Sequence, residues 1–69
     1  MNRYITVKGL RVIREFDGKR YQLVTHTIDT RKRDTIKAAD SYRKRGYLAR
    51  IVPLSSGYAL YIRKDTMKL

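Results

Sequence analysis

The chain has 69 residues, 17 Lys and Arg against six Asp and Glu, a formal net charge of +11 and no cysteine. One domain of this length buries roughly 60 per cent of its unfolded surface, and the missing cysteines exclude a disulfide framework and a thiolate metal site. No apolar run reaches membrane-spanning length and the N-terminus lacks a signal-peptide core, so a cytoplasmic, intracellular protein without a membrane partner is expected.

Residues Arg3 to Val7 are strand-like, and Lys8-Gly9 reads as a bulge or bend in the same strand. Leu10 to Phe16 and Arg20 to Ile28 are rich in Val, Ile, Thr and Tyr, and Asp17-Gly18 between them is a strong hairpin signal. With Asp17 and Gly18 as the loop, Leu10 faces Thr25, Val12 faces Leu23, Arg14 faces Tyr21 and Glu15 faces Arg20.

The single helix is predicted over Arg31 to Arg45. Thr30 or Asp29 supplies the N-cap oxygen, Ile36, Ala39 and Tyr42 form the buried face, and Gly46 ends the helix. A second hairpin follows, Tyr47 to Val52 and Tyr58 to Arg63. Taking Ser55-Ser56 as its loop sets Ile51 against Leu60 and Ala49 against Ile62 on the core face. Arg50 then faces Tyr61, and Leu48 faces Arg63, on the other side, while Asp65 to Leu69 reads as a tail.

The order ββαββ implies a single α+β domain over residues 1–69, an antiparallel sheet with one helix packed on one face. One helix covers one side. The opposite sheet face is therefore expected to be wet or bound.

Catalysis finds little support. His26 is the lone histidine, the carboxylates are scattered, and the four glycines are dispersed as turn residues with no phosphate-binding loop. No enzyme, cofactor or metal is expected. Charge points elsewhere.

Seven of the basic residues fall in the helical stretch, as Arg31-Lys32-Arg33, Lys37 and Arg43-Lys44-Arg45. Cations at the C-terminal end suit the helix dipole; those at the positive N-terminal end do not, and phosphate is the ligand that suits them. Arg33, Lys37 and Lys44 lie within about 40° on a helical projection, with Asp40 in the same stripe as a counter-ion for Lys37 or Lys44. On the outer sheet face Arg50, Tyr61 and Arg63 would form a platform for bases and phosphates. The leading expectation is a DNA- or RNA-binding protein of low sequence specificity, contacting phosphates through Arg31, Lys32, Arg33, Lys37, Lys44 and Arg45, with Arg50, Tyr61 and Arg63 secondary. The competing one is a small adaptor or inhibitor docking on an acidic protein, and an exposed edge strand would also allow a homodimer.

The pattern from Tyr21 to Lys64, a strand, Thr-Arg-Lys-Arg-Asp-Thr-Ile-Lys-Ala-Ala, Tyr-Arg-Lys-Arg-Gly-Tyr-Leu-Ala-Arg-Ile-Val and Gly-Tyr-Ala-Leu-Tyr-Ile-Arg-Lys, resembles small uncharacterised basic proteins of archaea and their viruses. That resemblance implies no activity. The strand, helix and hairpin are also similar to half of a SPOR domain, the peptidoglycan-binding βαββαβ fold, but the second helix and an export signal are missing, so no function carries over.

Overall fold

Asp17 and Gly18 have φ of 54° and 79°, the paired positive values of a two-residue type I′ turn, whose twist matches that of the strands it joins. In the computed structural model, which describes residues 6–7, 9–28, 30–55 and 57–64, this turn links β3, Ile13–Phe16, to β4, Lys19–Val24. The register is the expected one: Arg14 faces Tyr21 and Glu15 faces Arg20. The Leu23 N–H also donates to the Val12 carbonyl at 2.7 Å, but the ladder stops there.

Leu10 does not face Thr25. It pairs instead with Val7, so that β1, Thr6–Val7, and β2, Leu10–Arg11, form a separate two-stranded ribbon. Thr25–Thr27 meanwhile winds into a 3-10 turn, closed by the Thr27 hydroxyl donating to the Val24 carbonyl at 2.7 Å. Two local alternatives thus replace the long hairpin. Each satisfies polar backbone groups that the longer ladder would have paired.

Helix α1 spans Lys32–Lys44, one residue shorter than expected at each end. Its N-cap is Arg31, with no side-chain cap bond. Thr30 does not cap; its hydroxyl donates to the Thr27 carbonyl at 2.8 Å and lies 2.6 Å from the Thr35 hydroxyl, which donates to the Arg31 carbonyl at 3.0 Å. These threonines join the 3-10 turn to the first helical turn. Gly46, at φ 91°, ends the helix in the left-handed region that a residue with a Cβ adopts at a cost of about 1–2 kcal/mol.

The helix buries a face rotated from the expected one. Thr35 and Ala39 are fully buried and Tyr42 half-buried, while Ile36 is 39% exposed. Ala38 and Ala39 let the helix backbone approach, and Ala39 packs with Val24 and Leu60, flanked by Ala49, Ile51 and Ile62. Thr35 can sit inward because its hydroxyl is bonded there.

Strands β5, Tyr47–Leu54, and β6, Gly57–Lys64, pair in the expected register, with Ile51 facing Leu60, Ala49 facing Ile62, Arg50 facing Tyr61 and Leu48 facing Arg63. The four-stranded sheet runs β3-β4-β6-β5, every neighbour antiparallel. The fold is α+β, with one helix and two antiparallel sheets. Among the described residues no helix is long and apolar enough to cross a membrane. The Asp65 to Leu69 tail, Arg3 to Ile5, Lys8, the alternative cap Asp29 and the loop residue Ser56 lie outside the described residues.

The sheet face away from the helix is not generally wet, which corrects the expectation. Tyr21, Leu23, Ala59 and Tyr61 are buried there, with Val7 and Leu10 of the ribbon and Phe16, Leu48, Val52 and Leu54 packed against them. Tyr61 has no exposed surface, and its hydroxyl donates to the Arg11 carbonyl at 2.7 Å. Tyr61→Phe should therefore cost about 1 kcal/mol through the lost hydrogen bond. Tyr61→Ala should cost about 3–5 kcal/mol and leave little of a small domain's stability. Urea unfolding checks both; a solvent-facing ring would give changes under about 0.5 kcal/mol for each.

Candidate nucleic-acid interface

A cation that already holds the fold together is a poor choice for binding a ligand, so the basic side chains divide by what they touch. Arg50 forms an ion pair with Asp17 and lies 5.4 Å from the Phe16 ring centre. Arg14 lies 5.0 Å from Phe16 and 5.6 Å from Tyr61, rings that meet edge-on at 5.6 Å. Arg63 donates to the Arg20 carbonyl at 3.3 Å, while its Nε is buried without a hydrogen-bond partner among the described residues. Arg50, Tyr61 and Arg63 do share one sheet face, but they do not make an open platform. Tyr61 is buried and both guanidiniums are engaged, so no ring face is free for a base.

The helix divides in the same way. Arg45 stacks over Tyr42 at 4.6 Å and reaches Tyr47 at 5.8 Å, holding two rings that meet edge-on at 5.4 Å. Arg43 bridges the Asp40 carboxylate at 3.3 Å and the Ala49 carbonyl at 3.2 Å, tying the helix to β5. Asp40 is thus taken by Arg43 and not by Lys37 or Lys44. The i+3 arginine can hold a carboxylate and a strand carbonyl together, which a lysine with no fork does less well.

What remains is a solvent-facing stripe. Arg33, Lys37 and Lys44 lie opposite Thr35 and Ala39, all three are exposed, and none makes an ion pair among the described residues. From Arg33 to Lys44 the stripe runs about 16 Å along the axis. Arg31 and Lys32, also exposed and without an ion pair among the described residues, add charge at the N-terminal end but lie off the stripe, Lys32 projecting on the side of Ala39 at about 100° per residue. That end is less anomalous than its sequence suggests: the helix starts at Lys32, so Asp34 enters the first turn and gives the dipole one acidic partner. The outward middle of the helix is therefore the stronger feature, and the Arg31-Lys32-Arg33 triplet the weaker.

The helix packs against β5 and β6 and leaves the β3 side of the same sheet face open. There Ile13, 48% exposed, Arg20, Gln22, Tyr47, Ile62 and Lys64 line a groove of about 440 Å³. No local pattern foretells it, because it depends on where across the sheet the helix lands. Among the described residues no three of His, Cys, Asp and Glu converge as metal ligands would.

No protein family, curated protein or solved structure matches this chain. The interface has to be judged on its own geometry.

Like charges four residues apart, as Arg33 and Lys37 are, destabilise a helix by about 0.2–0.5 kcal/mol, and alanine is the better helix former. The double variant Arg33→Ala, Lys37→Ala, which leaves the dipole-favoured Lys44 of the last turn in place, should thus melt at or above the wild-type temperature. Added salt should raise the wild-type midpoint more than the variant's, because screening relieves repulsion that the variant lacks. A clear loss of stability in the variant would give these cations a structural role.

Proposed function

We propose that this is a non-enzymatic nucleic-acid-binding protein that holds the phosphate backbone, with little sequence preference, on the outward face of its helix. Arg33, Lys37 and Lys44 are the principal contacts, with Arg31 and Lys32 adding charge at the N-terminal end beside the stripe. The frame for them is the expected ββαββ arrangement with the helix on one sheet face, enlarged by the N-terminal ribbon. Arg45 sits at the end of the stripe and serves mainly to clamp Tyr42 and Tyr47. Arg50 and Arg63 move from contact residues to structural ones, and Tyr61 leaves the interface.

One observation carries this reading: the carboxylate within the stripe is drawn aside to Arg43, leaving the aligned cations without an internal counter-ion among the described residues. The Arg33 and Lys37 spacing costs the helix stability, while a row of phosphates supplies the missing charges. A lack of any helix-turn-helix, zinc-finger or RNP pattern favours backbone contact over base readout.

An acidic protein partner is the second reading, and Ile36, 39% exposed at the edge of the stripe, favours it. One isoleucine falls short of the packed apolar centre typical of protein interfaces. Polyanion binding needs no such centre.

Duplex affinity measured by fluorescence anisotropy should fall linearly with salt on logarithmic axes, by about 0.9 per phosphate neutralised. The Arg33, Lys37, Lys44 triple alanine variant should lower that slope by about 2–3, whereas Arg50→Ala should leave it unchanged and lower the unfolding midpoint. An unaltered slope in the triple variant would remove the helix from the interface.

A further inference from the structure

The groove beside the helix has a composition that the phosphate stripe lacks. Its floor is Gln22 and Ile62, neighbours across the β4–β6 ladder, with Tyr47 at the helix end and Ile13 at the β3 edge. Arg20 and Lys64 are exposed in its lining, neither makes an ion pair among the described residues, and no described carboxylate lines it. Its volume, about 440 Å³, falls within the roughly 300–1,000 Å³ of small-ligand sites. A neighbouring concavity of about 490 Å³ shares Ile13 and Arg20 with it and adds Glu15, which faces Arg20 across the β3–β4 ladder without an ion pair among the described residues, so the depression continues around the β3 edge.

We infer that this groove accepts an unpaired segment of nucleic acid, with a base laid against Ile62 and Tyr47 and its flanking phosphates held by Arg20 and Lys64. The inference rests on the nucleic-acid reading above and names the form of ligand that this second surface takes. A floor of one apolar and one amide side chain beside an aromatic ring, with cations around it, suits single strands: charge tracks the backbone and flat surfaces take bases of any identity. The exposed Gln22 amide adds two donors and an acceptor for a base edge. A duplex cannot use the floor, because its bases stay stacked inside the helix. An acidic peptide would satisfy Arg20 and Lys64 and leave the floor with nothing flat to cover it.

The groove lies to one side of α1 and the stripe on the helix's outer face, so the two surfaces can be separated by mutation. Short oligothymidylate, the matching abasic strand and a duplex are titrated into the full chain, with polyglutamate as a charge-matched competitor. The double variant Arg20→Ala, Lys64→Ala should weaken oligothymidylate binding about tenfold or more while changing duplex affinity less than about threefold. Gln22→Ala should weaken only the strand that carries bases. All three residues are exposed, so urea midpoints should stay at the wild-type value and any loss of binding is a loss of contact. The abasic strand should bind wild type more weakly than oligothymidylate, and polyglutamate should displace it poorly. Equal losses for strand and duplex in the double variant, abasic binding as tight as oligothymidylate, or efficient displacement by polyglutamate would each overturn the inference. If the helix triple variant still loses duplex in those cases, the nucleic-acid reading stands without the groove. A wild-type chain that binds none of the three nucleic acids overturns both.

Discussion

Strand β6 has to be buried on both faces, and the remaining parts of the molecule are arranged around that requirement. Ala59, Leu60 and Tyr61 are three consecutive residues without exposed surface. Their side chains alternate, so Leu60 needs cover on one side and Ala59 and Tyr61 on the other. The helix supplies the first through Ala39, and the N-terminal ribbon contributes to the second through Val7 and Leu10. A chain of 69 residues has little else to spend on a core, and a single central strand shared by two layers uses each apolar side chain to the full.

The charge distribution follows from the same economy. Six tyrosines and one phenylalanine are the aromatic rings, and several of the arginines that lie near them act as packing groups. Arg14 and Arg50 approach Phe16, and Arg45 approaches Tyr42 and Tyr47. Each such contact is worth about 0.5–1 kcal/mol at an exposed site, and the long aliphatic stems add cover for the rings. Net charge alone is thus a poor guide to how much of the protein faces a ligand. Once these residues are set aside, the uncommitted positive charge among the described residues lies mostly on α1, with Arg20 and Lys64 beside the groove and Lys19 next to the β3–β4 turn. In the proposed reading, function and stability draw on different cations.

Much of the frame was legible in the sequence, for local reasons. Asp17-Gly18 fits a turn that needs positive φ twice, and alternation in Tyr47 to Val52 and Tyr58 to Arg63 admits one register that keeps Ile51, Leu60, Ala49 and Ile62 together. Gly46 marked the helix end for the same kind of reason. What escaped was decided at a distance. Tyr61 suits a wet platform or a core equally well by type, and only a ribbon with its backbone 50 residues away settles where its hydroxyl goes. Asp40 had three cations within reach along the helix, and the choice of Arg43 depends on a carbonyl in β5. Thr35 takes the buried place expected of Ile36, because a bonded hydroxyl is cheap to bury. The stripe of Arg33, Lys37 and Lys44 was readable from periodicity, but its freedom from Asp40 was not.

The division of the cations into packing groups and binding groups is tested most directly by amide and side-chain chemical-shift changes in an NMR titration with a short duplex. The largest changes should fall on Arg33, Lys37 and Lys44, decline through Lys32 and Arg31, and spare Arg14, Phe16, Arg50 and Tyr61. Shifts centred on Phe16, Arg50 and Tyr61, with the outer face of α1 unmoved, would contradict that division.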